Sequence, residues 1–140
     1  MKPDAFERLC QRLLRESGFI EVEVTGKTGD GGIDGNGIIR MGGLISFNVL
    51  FQSKKHKANI GSSMVRDFRG AMIGRADKGL IISTSGFTYE AKKEATRDGA
   101  PPIDLIDGQM LVQKLKELRL GVTVKQVEEI DVNEAWFKLI

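Results

Sequence analysis

The stretch Gly79-Leu80-Ile81-Ile82-Ser83 is apolar without alternation. A strand with one face in water alternates polar and apolar residues, so an unbroken run of this length suits a strand covered on both faces. Such a strand needs layers above and below it, and the flanking sequence offers them. Phe6, Leu9, Cys10, Leu13 and Leu14 follow the i, i+3, i+4, i+7, i+8 spacing of one helix face. Asp4 is placed to cap that helix and Gly18 to end it. Met64, Val65, Phe68, Ala71 and Met72 mark a second helix, with Ser62 or Ser63 as its cap. Thr88 to Asp98 reads as a third, ended by Gly99, and Leu111, Leu115 and Leu118 mark a fourth.

The strands fall into two groups. Ile20, Val22 and Val24 alternate with Glu21, Glu23 and Thr25, the pattern of a half-buried strand. Thr25 to Gly32 is a glycine-rich turn. A second strand is expected over about Ile33 to Arg40, a hairpin turn at Met41-Gly42-Gly43, and a third strand over about Leu44 to Lys54. After the second helix come the buried strand and, past Pro101-Pro102, a strand at Ile103 to Ile106. The order α-β-β-β-α-β-α-β-α has a hairpin half and a crossover half, which predicts an α/β sandwich on a mixed sheet. Residues 122–140 are expected to form a strand and then a short amphipathic tail.

Length and composition narrow the function classes. At 140 residues the chain is long enough for one core and too short for two. No run approaches the roughly 18 apolar residues of a membrane span. The start leads straight into the first helix, so no signal peptide is expected. A single cysteine, Cys10, excludes a disulfide framework and makes a reducing cytoplasm the expected compartment. Charge is unevenly spread. Residues 1–50 carry 6 basic and 7 acidic side chains, residues 51–100 carry 10 and 5, and residues 101–140 carry 5 and 7. The basic middle is compatible with a polyanion partner and equally with a solvated surface.

The third strand carries the chemistry. With period two, Phe47, Val49, Phe51 and Ser53 point one way, while Asn48, Leu50, Gln52 and Lys54 point the other. Gln52 and Lys54 then share a face, about 7 Å apart. Pairing through the hairpin is expected to bring Asp34 beside them. A carboxylate, an amide oxygen, a main-chain carbonyl (that of Ser53) and an ammonium group would converge at one sheet end. Such oxygens suit Mg²⁺, which keeps several waters and also takes phosphate oxygens. The set fits phosphodiester hydrolysis, in which a metal acidifies a bound water and lysine offsets phosphate charge or takes the proton.

At these residues the chain resembles the Mrr-type restriction endonucleases. The resemblance rests on Thr28-Gly29-Asp30-Gly31-Gly32-Ile33-Asp34 and Phe51-Gln52-Ser53-Lys54. It continues through the segment from Lys78 to Thr88, Glu90-Ala91, the segment from Ile103 to Gly108, and Leu111, with Phe6-Glu7 in the first helix. It covers about residues 4 to 118. It implies a restriction-endonuclease-like three-layer sandwich, a central mixed β-sheet flanked by helices, and cleavage of DNA with Mg²⁺ or Mn²⁺. It implies Asp34 as principal metal ligand, Gln52 at a position more often acidic in the wider superfamily, Lys54 as catalytic lysine, and Glu7 as a supporting metal-site glutamate. Residues 1–121 form the expected catalytic domain, with 122–140 an extension offering a homodimer contact. The chain is expected to lack the separate DNA-reading domain usual in such enzymes, so a further recognition subunit or domain is an expected partner.

Each residue has a plainer role beside the catalytic one. Glu7 could complete a capping box with Asp4. Asp30 and Asp34 are turn formers. Lys55 and Lys57, in Lys54-Lys55-His56-Lys57, are either a solvated run or contacts to the DNA backbone. Ser85 and Thr88 suit a loop and a helix cap, or a phosphate at a helix start. Two rival functions remain: a structure-selective nuclease such as a junction resolvase, and a nucleic-acid-binding module of the same fold without turnover.

Overall fold

The computed structural model describes residues 1–24, 34–123 and 125–140. The glycine-rich turn from Thr25 to Gly32, with Asp30, lies outside the described residues. The chain order is α1 (Pro3–Glu16), β1 (Ile20–Val24), β2 (Gly35–Met41), β3 (Ile45–Lys54), α2 (Ser62–Met72), β4 (Lys78–Ser83), α3 (Tyr89–Ala95), β5 (Ile103–Ile106), α4 (Gly108–Leu118) and α5 (Glu134–Lys138).

The five strands form one sheet in the order β1-β2-β3-β4-β5. The first three are antiparallel neighbours, whereas β3, β4 and β5 run parallel. The two halves differ because a tight turn can only reverse a strand, while α2 and α3 supply the crossovers that parallel neighbours need. Gly42 and Gly43 both take positive φ, 59° and 71°, at the β2–β3 hairpin. Three residues, Gly42 to Leu44, link the paired Met41 and Ile45, and glycine adopts the positive φ values without strain.

Alternation along β3 and β4 sorts side chains into two cores. Leu50 and Ile81 join Val65, Phe68 and Met72 of α2 and Ala91 and Ala95 of α3 on one face. Phe51 and Ile82 join Phe6, Cys10, Leu13 and Leu14 of α1 and Leu111 of α4 on the other. Hence three layers: α1 and α4, the sheet, then α2 and α3. Each large side chain removed from water here contributes about 1.5–3 kcal/mol, which fixes the register on both faces.

Several boundaries differ from expectation. α1 begins at Pro3 with Lys2 as N-cap and no side-chain cap, so Asp4 lies inside the first turn and the capping box with Glu7 is not formed. Proline's fixed φ already suits a first helical position. Gly61, not Ser62 or Ser63, precedes α2. α3 stops at Ala95, three residues before Asp98. Beyond α4 the described tail forms no strand; α5 is its one helix, capped by Asn133, and every described residue from 121 on is exposed.

One polar link in the α2–α3 layer has no counterpart in the apolar pattern. Arg69 is 4% exposed. Its Nη1 donates to Glu94 Oε1 at 2.7 Å, and its Nη2 to the carbonyls of Ala95 and Pro101 at 3.2 and 3.4 Å. The guanidinium thereby ties α2 to α3 and to the chain entering β5.

Candidate active site

Asp34 stands one residue before β2. Its main-chain N–H donates to Phe51 O at 2.9 Å, while the regular ladder pairs Phe51 with Gly35. The backbone thus leaves strand register at Asp34, and alternation no longer dictates which way its side chain turns. The carboxylate takes over the role of a ladder carbonyl: Oδ2 accepts the Ser53 N–H at 2.5 Å and the Ser53 hydroxyl at 2.7 Å. Gly35 next door permits the close approach, since a β-carbon there would lie 2.1 Å from Glu23 O and 2.8 Å from the Phe51 ring.

The expected placement of Asp34 comes with a contact that strand alternation did not give. Continuing the register sets Asp34 opposite Gln52, but its carboxylate engages Ser53, on the side of Phe51 and α1. Among the described residues no hydrogen bond joins Asp34 to Gln52 or Lys54. Lys54 is exposed, and its positive charge reaches Asp34, where it favours the carboxylate.

The electrostatics are those of a partly dry acidic corner. Burial dominates at Asp34 and raises its pKa above the ordinary value, against the two Ser53 hydrogen bonds and the charge of Lys54. Glu7, on α1, is half-buried; burial raises its pKa, and the negative charge of Asp34 raises it further. One turn on, Cys10 is 0% exposed. Its thiol is pushed up to about 12, mainly by burial and then by Asp34, so it stays protonated. These shifts place Glu7, Cys10 and Asp34 within electrostatic reach of one another.

Gln52 is 7% exposed, and its Oε1 is buried without a hydrogen-bond partner among the described residues. Leaving such an acceptor unmet costs about 1–3 kcal/mol, which a cation would recover. The available donors near the sheet end are oxygens: the Asp34 carboxylate, the Gln52 amide and the Ser53 carbonyl. Among the described residues no three His, Cys, Asp or Glu side chains cluster as a metal site. Asp34, Gln52 and the Ser53 carbonyl offer oxygen donors only, the type that a hard cation such as Mg²⁺ or Mn²⁺ takes.

The basic loop after β3 is anchored to the neighbouring loop. His56 N–H donates to Thr84 Oγ1 at 3.1 Å, and the same hydroxyl donates back to His56 O at 3.2 Å. Lys55 and Lys57 are exposed, with Lys55 Nζ donating to the Met1 carbonyl. Thr88 caps α3 by accepting from Ala91 N–H at 3.1 Å. Ser85 lies in the β4–α3 loop, where its hydroxyl shares a hydrogen bond of 2.9 Å with that of Ser83. The contributions of Cys10 and of the Ser53 hydroxyl were missed in the sequence; Cys10 reads there only as a core position.

Comparison with known proteins gives consistent matches. The Mrr catalytic family, described as restriction endonuclease, matches residues 1–115. The type IV methyl-directed restriction enzyme EcoKMrr of Escherichia coli (strain K12) is 32% identical over 143 aligned positions, covering 95% of this chain and 45% of that enzyme. The chain therefore spans somewhat less than half the length of this relative. Among solved structures, the DNA modification-dependent restriction endonuclease AspBHI matches with a TM-score of 0.72 at 24% identity, over 85% of this chain and 32% of its own. A protein of unknown function, AF1548, matches with a TM-score of 0.58 at 19% identity, over 79% and 64% respectively.

Proposed function

Because this chain belongs to the Mrr catalytic family of restriction endonucleases and has their fold, we propose that it hydrolyses DNA phosphodiester bonds with a divalent cation at Asp34. The observation that carries this reading is the Asp34 carboxylate, held by Ser53 at the open end of the β2–β3 ladder, with the Gln52 Oε1 of the same strand end buried and without a partner among the described residues. A bound Mg²⁺ or Mn²⁺ supplies Lewis acidity and a water of lowered pKa.

The chain's own residues do the rest. Asp34 supplies the anionic oxygen, while the Gln52 amide oxygen and the Ser53 carbonyl supply neutral ones. Glu7 adds a second carboxylate from α1. Lys54, exposed at the end of β3, offsets charge developing on the scissile phosphate and orients or deprotonates the attacking water. Lys55 and Lys57 contact the DNA backbone, contributing affinity without sequence reading.

Residues 1–121 act as the catalytic unit, and residues 122–140 offer a contact for a second copy. One site cuts one strand, so a two-fold homodimer is the simplest arrangement for cutting both. Site choice belongs to a recognition domain or subunit, and the compartment is the cytoplasm. Plasmid, linear, methylated and branched DNA with Mg²⁺, Mn²⁺ or EDTA test the activity and separate a junction-selective enzyme from a general one. Lys54→Ala should abolish cleavage while keeping DNA affinity within a few-fold, since its role lies in the transition state. Cleavage by that variant at the wild-type rate would overturn the assignment.

A further inference from the structure

Asp34 accepts both of its Ser53 hydrogen bonds on a single oxygen, Oδ2. One donor is a main-chain N–H, present whatever residue occupies position 53. The other is the side-chain hydroxyl, at 2.7 Å, which depends on the residue at that position. A carboxylate fixed by one donor can still swing about that bond. With two donors converging on Oδ2 from different directions, it cannot turn without breaking one of them. The direction of Oδ1 is then set before any ligand arrives.

Ser53 is itself confined. Ser53 is half-buried and lies on the Phe51 side of β3, against α1. From that helix Cys10, 0% exposed and locked in the α1–sheet core, comes within reach of Ser53. α1, β3 and the start of β2 therefore come together around Ser53. A packed helix determines where the serine sits, and the serine determines where the carboxylate points.

We propose that Ser53 is the positioning residue of the metal site: its hydroxyl presets the Asp34 carboxylate and so sets the affinity for the divalent cation. This deepens the nuclease reading above and rests on it. Groups that orient a metal's ligand without touching the metal commonly change affinity by about 10–100-fold when removed. The hydroxyl should behave in that way, and its loss should leave the fold standing, because the main-chain donor to Asp34 and the ladder remain.

The test uses the full chain without DNA. Free Mn²⁺ is followed by electron paramagnetic resonance for wild type, Ser53→Ala, Ser53→Thr, Ser53→Val and Asp34→Asn, with melting curves in EDTA alongside. Threonine and valine are close in shape and differ by the hydroxyl, so that pair reads the group itself even if the alanine variant is poorly folded. Ser53→Val and Ser53→Ala should bind Mn²⁺ at least about 10-fold more weakly than wild type, and Ser53→Thr should recover most of the loss. Equal affinity in the threonine and valine variants would overturn the proposal. Asp34→Asn separates the two claims: wild-type Mn²⁺ affinity in that variant would mean that the metal site itself is misplaced.

Discussion

Gln52 offers a direct test of whether the sheet end is built for a ligand rather than for stability. It is 7% exposed, and its Oε1 has no hydrogen-bond partner among the described residues. An unmet buried acceptor costs the folded chain about 1–3 kcal/mol. Methionine is unbranched, similar in length and free of that acceptor, so Gln52→Met should relieve the cost with little packing penalty. With an unfolding entropy of about 2 cal/mol/K per residue, a chain of 140 residues gains about 3 °C in Tm per kcal/mol. In EDTA the variant should therefore melt about 3–9 °C above wild type. Magnesium should reverse the comparison. A ligand at 100 times its Kd stabilises the folded state by about 2.7 kcal/mol, and the wild type alone keeps the amide oxygen that helps bind it. Calorimetric melts of both proteins, in EDTA and across a MgCl₂ series, give the two numbers. A Gln52→Met protein that melts below wild type in EDTA would show that Oε1 is satisfied, and the reasoning would fail.

Three other outcomes follow from the same geometry. Burial raises Asp34 above its ordinary pKa of 3.8, so its protonated form stabilises the metal-free fold below that pH, and this contribution is lost as pH rises through the raised value. Asp34→Asn in EDTA should then melt at or above wild type at pH 7.5, with the difference shrinking toward pH 4; a pH-independent difference would contradict this. Glu94→Ala leaves Arg69 buried without its anionic partner and should cost about 3–5 kcal/mol by urea denaturation, whereas a loss under 1 kcal/mol would mean that the carbonyls of Ala95 and Pro101 suffice. Ending the chain at Gly121 should convert a dimer to a monomer in light scattering; an unchanged mass would remove residues 122–140 from the interface.

The architecture was legible because periodicity reports burial. The unbroken run at Gly79–Ser83 demanded cover on both faces, and α1 and α2 sit where Phe6, Cys10, Leu13 and Val65, Phe68, Met72 placed them. Caps were less legible. Asp4 and Ser62 are good capping residues, but Pro3 and Gly61 set the helix starts through backbone preference. Arg69 was overlooked although it occupies a buried position between Phe68 and Met72; a charge on an apolar stripe signals a buried partner, but nothing local identifies Glu94. At the site, the residues were readable and their contacts were not. Strand alternation assigned Ser53 to the face away from Asp34, and it fails there because Asp34 leaves the ladder it would have to obey.

That departure bears on how such a site would work with a glutamine in it. Asp34 carries a negative charge at the sheet end, and Glu7 approaches from α1 with both carboxyls pushed toward protonation, Asp34 chiefly by burial and Glu7 by burial and then by the charge of Asp34. Gln52 adds an oxygen without adding to that repulsion. As a ligand, the role proposed for it, a neutral Gln52 would spare the metal-free protein a third buried charge and lower the intrinsic pull on a cation. Mg²⁺ is commonly held by one or two carboxylates together with substrate phosphates, so the missing charge falls to the DNA. Coupling between two ligands is reciprocal: whatever factor DNA adds to cation affinity, the cation adds to DNA affinity. In this reading a glutamine at position 52 makes the cleaving complex depend on metal and phosphate arriving together, and Asp34, already oriented by Ser53, is the point at which they meet.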